Sequence, residues 1–338
     1  MTEFHLGGPI TSALTHFAGY GLAAILEDQG HTSLRMHWQE SESPSLVITG
    51  VSEQEVGDAV QGHASAISPN HWINGKLVGE PRDGASLFSP RIKAAGSRKE
   101  LDPRLEWETY AEQRNRYLTA DLSRLDRSMI HGLGEPAHWH HTDKDNQPDR
   151  GASRWEMKTR NRGEEMVTHR IRPLLQAIRS RSGEELAAGL AGRQLVDLNT
   201  KADSRTSSGF TKPGPVDCAV AWCALWGISW MPTVHLVHSM SQSPGVTPRT
   251  RVHPSDAALP LATSPMSPAL WQVVLRSRQL DVAAFHLDDA EARTSMRWLH
   301  ARGVIGLVRF GIHLGGSAAA PERHLLDGTL DLFEVDFR

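Results

Sequence analysis

The segment following Pro9 constrains the fold most. It reads LTHFAGYGLAAILE, and Leu14, Phe17, Ala18, Gly21, Leu22, Ile25 and Leu26 recur at helical spacing. Thr11 or Ser12 can open this helix and Gly30 can close it. Gly19 and Gly21 lie inside it, and a glycine in a helix interior costs roughly 1 kcal/mol relative to alanine. Such a cost is sustained where another backbone packs closely on the glycine face. A second small-residue helix, VDCAVAWCALWGISW, opens at Pro215. Its AVAWCALWGIS echoes the HFAGYGLAAIL of the first. Packed helices often share this composition, so the echo is read as coincidence.

Other elements follow from periodicity and punctuation. SLRMHWQ from Ser33 and SLVITGV from Ser45 read as strands. Residues 70–96 are loop-rich, with a tight turn expected at Asn74-Gly75. Asp102 and Pro103 start a helix reaching Tyr117, and another spans Leu122 to Ile130. Residues 132–151 read as a polar loop. Val167, Ile171, Leu174, Leu175 and Ile178 form an apolar helical stripe, and Ser182 with Glu185 forms a capping box for EELAAGLA. Trp271–Leu280 fits a strand or a helix, residues 288–300 a helix, and 304–314 and 330–337 closing strands. The expected fold is α+β, with mixed sheets and packed helices in two lobes. Residues 1–200 form the first lobe and 216–338 the second, with 201–215 and the Pro/Ser-rich 241–268 as exposed loops or linkers.

Composition narrows the class. Apolar residues make up 39% of 338, enough for a core and well above the disordered range. Ten Trp stand against three Tyr, and Trp serves cores, interfaces and base stacking alike. Cys218 and Cys223, on the Trp-rich apolar helix, read as reduced core thiols of a cytoplasmic protein. Met1 to Ile10 lacks the basic start and apolar run of a secretory leader, and no stretch reads as a membrane span.

Four constellations could carry chemistry. The first is an arginine band, RGASRWEMKTRNRGEEMVTHRIRPLLQAIRSR, from Arg150 to Arg181 in a chain of net charge −3. Lys158, Arg160 and Arg162 lie near Trp155, a mixture suited to a phosphate backbone with a stacked base. The alternative is a solvated face paired internally with Glu156, Glu164 and Glu165. The stripe leaves Arg170, Arg172 and Arg179 for the surface. The second is the loop PNHWINGK with residues 91–99, where Asn70, Asn74, Lys76, Arg91, Lys93, Arg98 and Lys99 could meet phosphates or groove edges. The third is His138, His140, His141, Asp143, Asp145 and Asp149, either a solvated polar loop or the ligands of a metal-dependent nuclease. The fourth, KADSRTSSGFTKPG, has hydroxyls beside a glycine but no phosphate-loop signature. No nucleophile motif occurs, and no cofactor is implied.

The order LTHFAGYGLAAILE, then RWEMKTRNRGEEMVTHRIRPLL, then DSRTSSGF leading into PVDCAVAWCALWGISWMPT resembles the large-subunit family of type I CRISPR interference (Cascade) complexes. The likeness is particularly to compact members from subtype I-U, also called I-G. The resemblance covers about two thirds of the chain by pattern. It implies a non-catalytic subunit of a crRNA-guided surveillance complex in antiviral defence. Such a subunit sits near the 5′ end of the crRNA, helps read the protospacer-adjacent motif of target double-stranded DNA, and helps recruit the helicase–nuclease. Base pairing then reads the long sequence, and protein reads the short motif and the backbone. The middle segment puts Lys158, Arg160 and Arg162 on the polynucleotide backbone. Asn74 and Lys76 are chosen from loop chemistry for duplex probing. The rival readings are a nuclease using the His138–Asp149 cluster and a scaffold whose Trp-rich surfaces bind protein partners.

Overall fold

Helix α1 (Ala13–Asp28) is buried from Ala13 to Leu26 except at Leu14, as a helix apolar all round must be. Its largest partner is α7 (Cys218–Trp226), which is likewise buried along almost its whole length. At the crossing Gly21 lies against the Cys223 carbonyl and the Gly227 amide, so the glycine face does meet a backbone. Gly19 faces the Leu46 and Met36 side chains instead. The two segments that echo one another in sequence are therefore packing partners. Both need apolar side chains on every face and small residues where they cross.

A computed structural model describes residues 2–79, 83–92, 103–139, 148–157, 166–198, 208–237, 239–249, 251–285, 290–317 and 320–334. The class is α+β: helices with two antiparallel sheets. In the first sheet β3 (Leu46–Thr49) lies between β1 (Glu3–Leu6) and β2 (Arg35–Trp38), with Phe4 and Met36 both paired to Ile48. Helix α2 (Glu53–Ala66) follows, with a full capping box at Ser52 and Glu55. Next come α3 (Pro103–Asn115), α4 (Arg124–Leu133), α5 (Arg172–Arg179) and α6 (Gly183–Leu190). The Ser182–Glu185 box that starts α6 is present as expected. A π-helical turn over Val167–Ile171 leads into α5, with Pro173 in its first turn, and the whole apolar stripe is buried.

The second sheet is built on the 14-residue β6 (Val304–Ser317). Its first half pairs with β5 (Asp256–Ala262) on one side and β8 (Thr329–Leu332) on the other. Its second half pairs with β7 (Ala320–Leu325), and β4 (Val246–Thr247) borders the start of β5. Helices α8 (Pro268–Leu275), α9 (Arg278–Phe285) and α10 (Ala290–His300) pack beside these strands, so Trp271–Leu280 is helical.

Residues 241–268 correct the linker expectation. They carry β4 and β5, and Ala257 to Ala262 are buried. Pro260 disguises the strand. It is tolerated because β4 covers only the first residues of β5, so Pro260 needs no N–H on that side. The two expected lobes meet across the α1–α7 pair, and their apolar residues form one continuous core. Seven of the ten tryptophans, Trp38, Trp72, Trp155, Trp222, Trp226, Trp230 and Trp271, are among its largest fully buried side chains. The tryptophan count thus reflects mainly the interior, with Trp139 and Trp298 half-buried.

Two buried histidines couple this core to pH. Burial pulls His16 and His63 down to about 4, with the Ile10 carbonyl opposing it for His16 and Asp126 opposing it for His63. The unfolded chain takes up these protons near pH 6.5, the folded chain only near pH 4. Stability is therefore complete above pH 6.5 and falls as pH drops from 6.5 toward 4. We expect urea denaturation at pH 5.5 to show a loss of about 1.3 kcal/mol per histidine relative to pH 7.5. A flat profile across that window would contradict neutral burial of both rings.

Candidate nucleic-acid interface

Among the described arginines of the band, Arg154, Arg170 and Arg181 are buried, Arg150 and Arg172 half-buried and Arg179 exposed. Arg154 is 1% exposed and donates to the backbone carbonyls of Asp149, Arg150, Ser241 and Val252. Burial, with Arg91 adding to it, pulls its pKa down to about 10. Trp155, the expected stacking partner for a base, is fully buried and donates its indole N–H to the Pro244 carbonyl. Glu156 pairs with Arg91 at 2.5 Å, and its carbonyl accepts from Arg323. Arg91, offered above as a phosphate contact, is 2% exposed and lies 3.5 Å from Asp149. Burial depresses its pKa, but Glu156 and Asp149 more than reverse this.

In the back half the surface assignment is corrected for Arg170, which is buried, while Arg172 is half-buried and Arg179 is exposed as expected. Arg170 is 4% exposed and donates to the Ser208 carbonyl. Arg172 donates to the Ile73 carbonyl at 2.9 Å, and Arg179 to the Ala64 and Ile67 carbonyls. Arg179 thereby places a cation on the unpaired carbonyls ending α2, where the helix dipole favours one. Arg181 pairs with buried Asp217 at 2.9 Å. These guanidiniums join segments far apart in the chain. Lys158, Arg160 and Arg162, and also Lys93, Arg98 and Lys99, lie outside the described residues.

Asn74 and Lys76 sit on a small platform. A 3-10 turn over Trp72–Asn74 replaces the expected hairpin turn, because the Trp72 indole is tied to Asp126 of α4 at 2.6 Å, with the His71 ring 3.2 Å from the same carboxylate. Lys76 then pairs with Ser86 in an antiparallel bridge, braced by a Leu77–Ala85 hydrogen bond of 2.7 Å. Gln113 of α3 satisfies both backbone groups of Val78, at 2.8 and 2.9 Å. The Lys76 side chain is exposed on this braced turn. Asn74 is half-buried and donates to the Ser68 carbonyl at 2.9 Å, so part of its amide is committed to the turn.

Helix α3 joins this platform to a cleft of about 250 Å3 between α3 and α4. Arg114, Arg127, His131, Glu135 and His235 line it together with Leu118 and Ile130. Arg114 lies over the Phe88 ring at 5.1 Å and 3.4 Å from Glu135, and Arg127 is steered by the Ala120 carbonyl at 2.6 Å. Burial holds the His235 ring below its usual pKa; Glu135 opposes this, while His131 and Arg114 reinforce it. The cleft combines two arginines, one carboxylate and two imidazoles. None of these cleft residues stood out in the sequence, because they come from α3, α4 and the segment after α7.

Of the expected metal ligands, His138 is exposed and packs on Trp107 and Trp139, Asp149 pairs with Arg91, and residues 140–147 lie outside the described residues. Among the described residues, no group of three His, Cys, Asp or Glu side chains could hold a metal ion, and no helix is long and apolar enough to cross a membrane. Cys218 and Cys223 are buried and free, and the Cys218 thiol donates to the Val196 carbonyl. Burial pushes Cys218 up to about 11 and raises Cys223 further, which disfavours the reactive thiolate. No protein-family model and no curated protein matches the chain.

Proposed function

We propose that this chain is a non-catalytic, nucleic-acid-binding subunit of a type I CRISPR surveillance complex. In this reading it works with crRNA and the other subunits, contacts target double-stranded DNA near the protospacer-adjacent motif, and helps recruit the helicase–nuclease. The order of segments suggests the family. The observation that supports the binding role is exposed Lys76 on its braced turn, which Gln113 ties to the same helix that carries Arg114 of the cleft. A rigid turn holding a cation, tied to the helix of a cationic groove, suits a duplex backbone, where phosphate contacts set register. Lys158, Arg160 and Arg162 remain the proposed contacts from sequence, and Asn74 keeps a role beside Lys76.

Fluorescence anisotropy with a short DNA duplex across a salt series tests this. The full chain is expected to bind with an affinity that falls steeply with salt. Joint substitution Lys76→Ala, Arg114→Ala and Arg127→Ala is expected to reduce the salt slope by up to about three phosphates. Arg160→Ala with Arg162→Ala is expected to remove up to about two more. An unchanged slope in the triple variant would discard the platform and cleft. Absence of DNA binding, both alone and with partner subunits, would discard the function.

A further inference from the structure

A second cleft, of about 560 Å3, shares no residue with the one above. Gly8, Ser12, Thr15, Arg193, Thr211 and Lys212 are on its wall. It opens at the N-terminus of α1, a 16-residue helix with no acidic residue in its first turn. Ser12 occupies the N-cap position, yet its side chain makes no capping bond. The Thr15 N–H of the first turn donates to the Ser12 carbonyl at 3.0 Å, and the first-turn amides carry the positive end of the helix dipole, which favours an anion.

Thr15 gives an independent sign of a ligand. It is 2% exposed, lines the cleft, and its hydroxyl makes no hydrogen bond among the described residues. The residue is buried, but its hydroxyl is not one of the sealed unpaired polar atoms of the core, so the oxygen is reachable from the cleft. Gly8 keeps this hydroxyl uncovered. Its φ of +110° suits glycine, and a Cβ there would lie 2.5 Å from Thr15 Oγ1.

The opposite wall comes from the hydroxyl- and glycine-containing loop singled out in the sequence, through Thr211, Lys212 and Gly214. Lys212 pairs with Asp327 at 2.6 Å, but the two side chains are 53% and 62% exposed. Arg193 pairs with Glu53 in a similarly open position. Exposed pairs of this kind are weak, so both cations can turn to a stronger anion. Asp217, the other acid on the wall, is already committed. Its oxygens accept from Arg181 and from the Ala219 and Val196 amides.

We propose that this cleft binds a phosphate group, held by the first turn of α1, the Thr15 hydroxyl, Lys212 and Arg193. A phosphate dianion gives the Thr15 hydroxyl an acceptor and matches the charge of the two cations once they turn from Asp327 and Glu53. The site does not rest on the DNA-binding reading, since free phosphate is enough to fill it.

Isothermal titration calorimetry of the full chain with inorganic phosphate, at constant ionic strength in chloride, tests the site. Saturable binding is expected. Thr15→Val and Lys212→Ala are each expected to weaken it about tenfold, Thr15→Ser to restore it, and Arg278→Ala, at an exposed cation outside both clefts, to leave it unchanged. Circular dichroism checks that each variant folds. Short oligonucleotides with and without a 5′-phosphate then identify the source. Displacement of phosphate only by the 5′-phosphorylated strand supports a polynucleotide end as the ligand, and displacement by neither supports the free ion. No saturable heat with millimolar phosphate, or wild-type affinity in both folded Thr15→Val and Lys212→Ala, would overturn the proposal.

Discussion

Gly21→Ala is expected to destabilise the protein by about 3 kcal/mol or more and to shift much of it into the insoluble fraction. A Cβ at this position overlaps the Cys223 carbonyl oxygen and comes within 2.6 Å of the Gly227 nitrogen. Both are backbone atoms of α7 and the turn after it, so no rotamer change relieves the clash. The helices must separate, and the packing around Phe17, Trp222 and Trp226 opens with them. Alanine's better helix propensity returns only about 1 kcal/mol. Gly19→Ala is the control. Its Cβ meets the Leu46 side chain, which can move, so a smaller loss is expected. Urea denaturation and soluble yield measure both, and an unaltered unfolding midpoint for Gly21→Ala would refute the close approach.

Asp217→Ala is expected to cost about 3–5 kcal/mol. Asp217 is 3% exposed and serves three partners. Its Oδ1 accepts from Arg181 at 2.9 Å and from the Ala219 amide at 2.8 Å, which caps α7, and its Oδ2 accepts from the Val196 amide at 2.8 Å. The truncation removes the cap and leaves the Arg181 charge, 6% exposed, without its carboxylate. Most of the loss comes from that stranded charge. Arg181→Met combined with Asp217→Asn should therefore recover part of it, because an apolar stem replaces the guanidinium and the amide oxygen can still cap. Thermal and urea unfolding of the single and double variants decide this. A single-variant loss below about 1 kcal/mol would show that the pair is not buried in solution.

Local features were legible in the sequence. The apolar residues and glycines of α1, the Ser182–Glu185 box and the Val167–Ile178 stripe depend on neighbours within a few positions. Strand β5 was missed because Pro260 and the surrounding serines read as linker, and only its place at a sheet edge makes the proline acceptable. Lys76 was identified as a surface cation on a turn, while the brace beneath it, Gln113, lies in another element. The α3–α4 cleft joins Arg114 and Arg127 with His235, which no local spacing could bring together.

The sequence by itself determined the α+β class, the core helices and several of their ends, because these follow from side-chain periodicity and capping within single segments. Only the tertiary structure decided the use of the charges and the tryptophans. A guanidinium on a helix can reach water, a phosphate or a neighbouring carbonyl, and its identity does not distinguish them. Arg179 finds the carbonyls of Ala64 and Ile67 because the fold brings the end of α2 beneath it. The band that reads as an anion-binding surface is, through buried Arg154, Arg170 and Arg181, in part an internal clamp, and Arg172 and Arg179 reach backbone carbonyls from half-buried and exposed positions. Among the described residues, Lys76 and Arg127 are exposed cations outside the band.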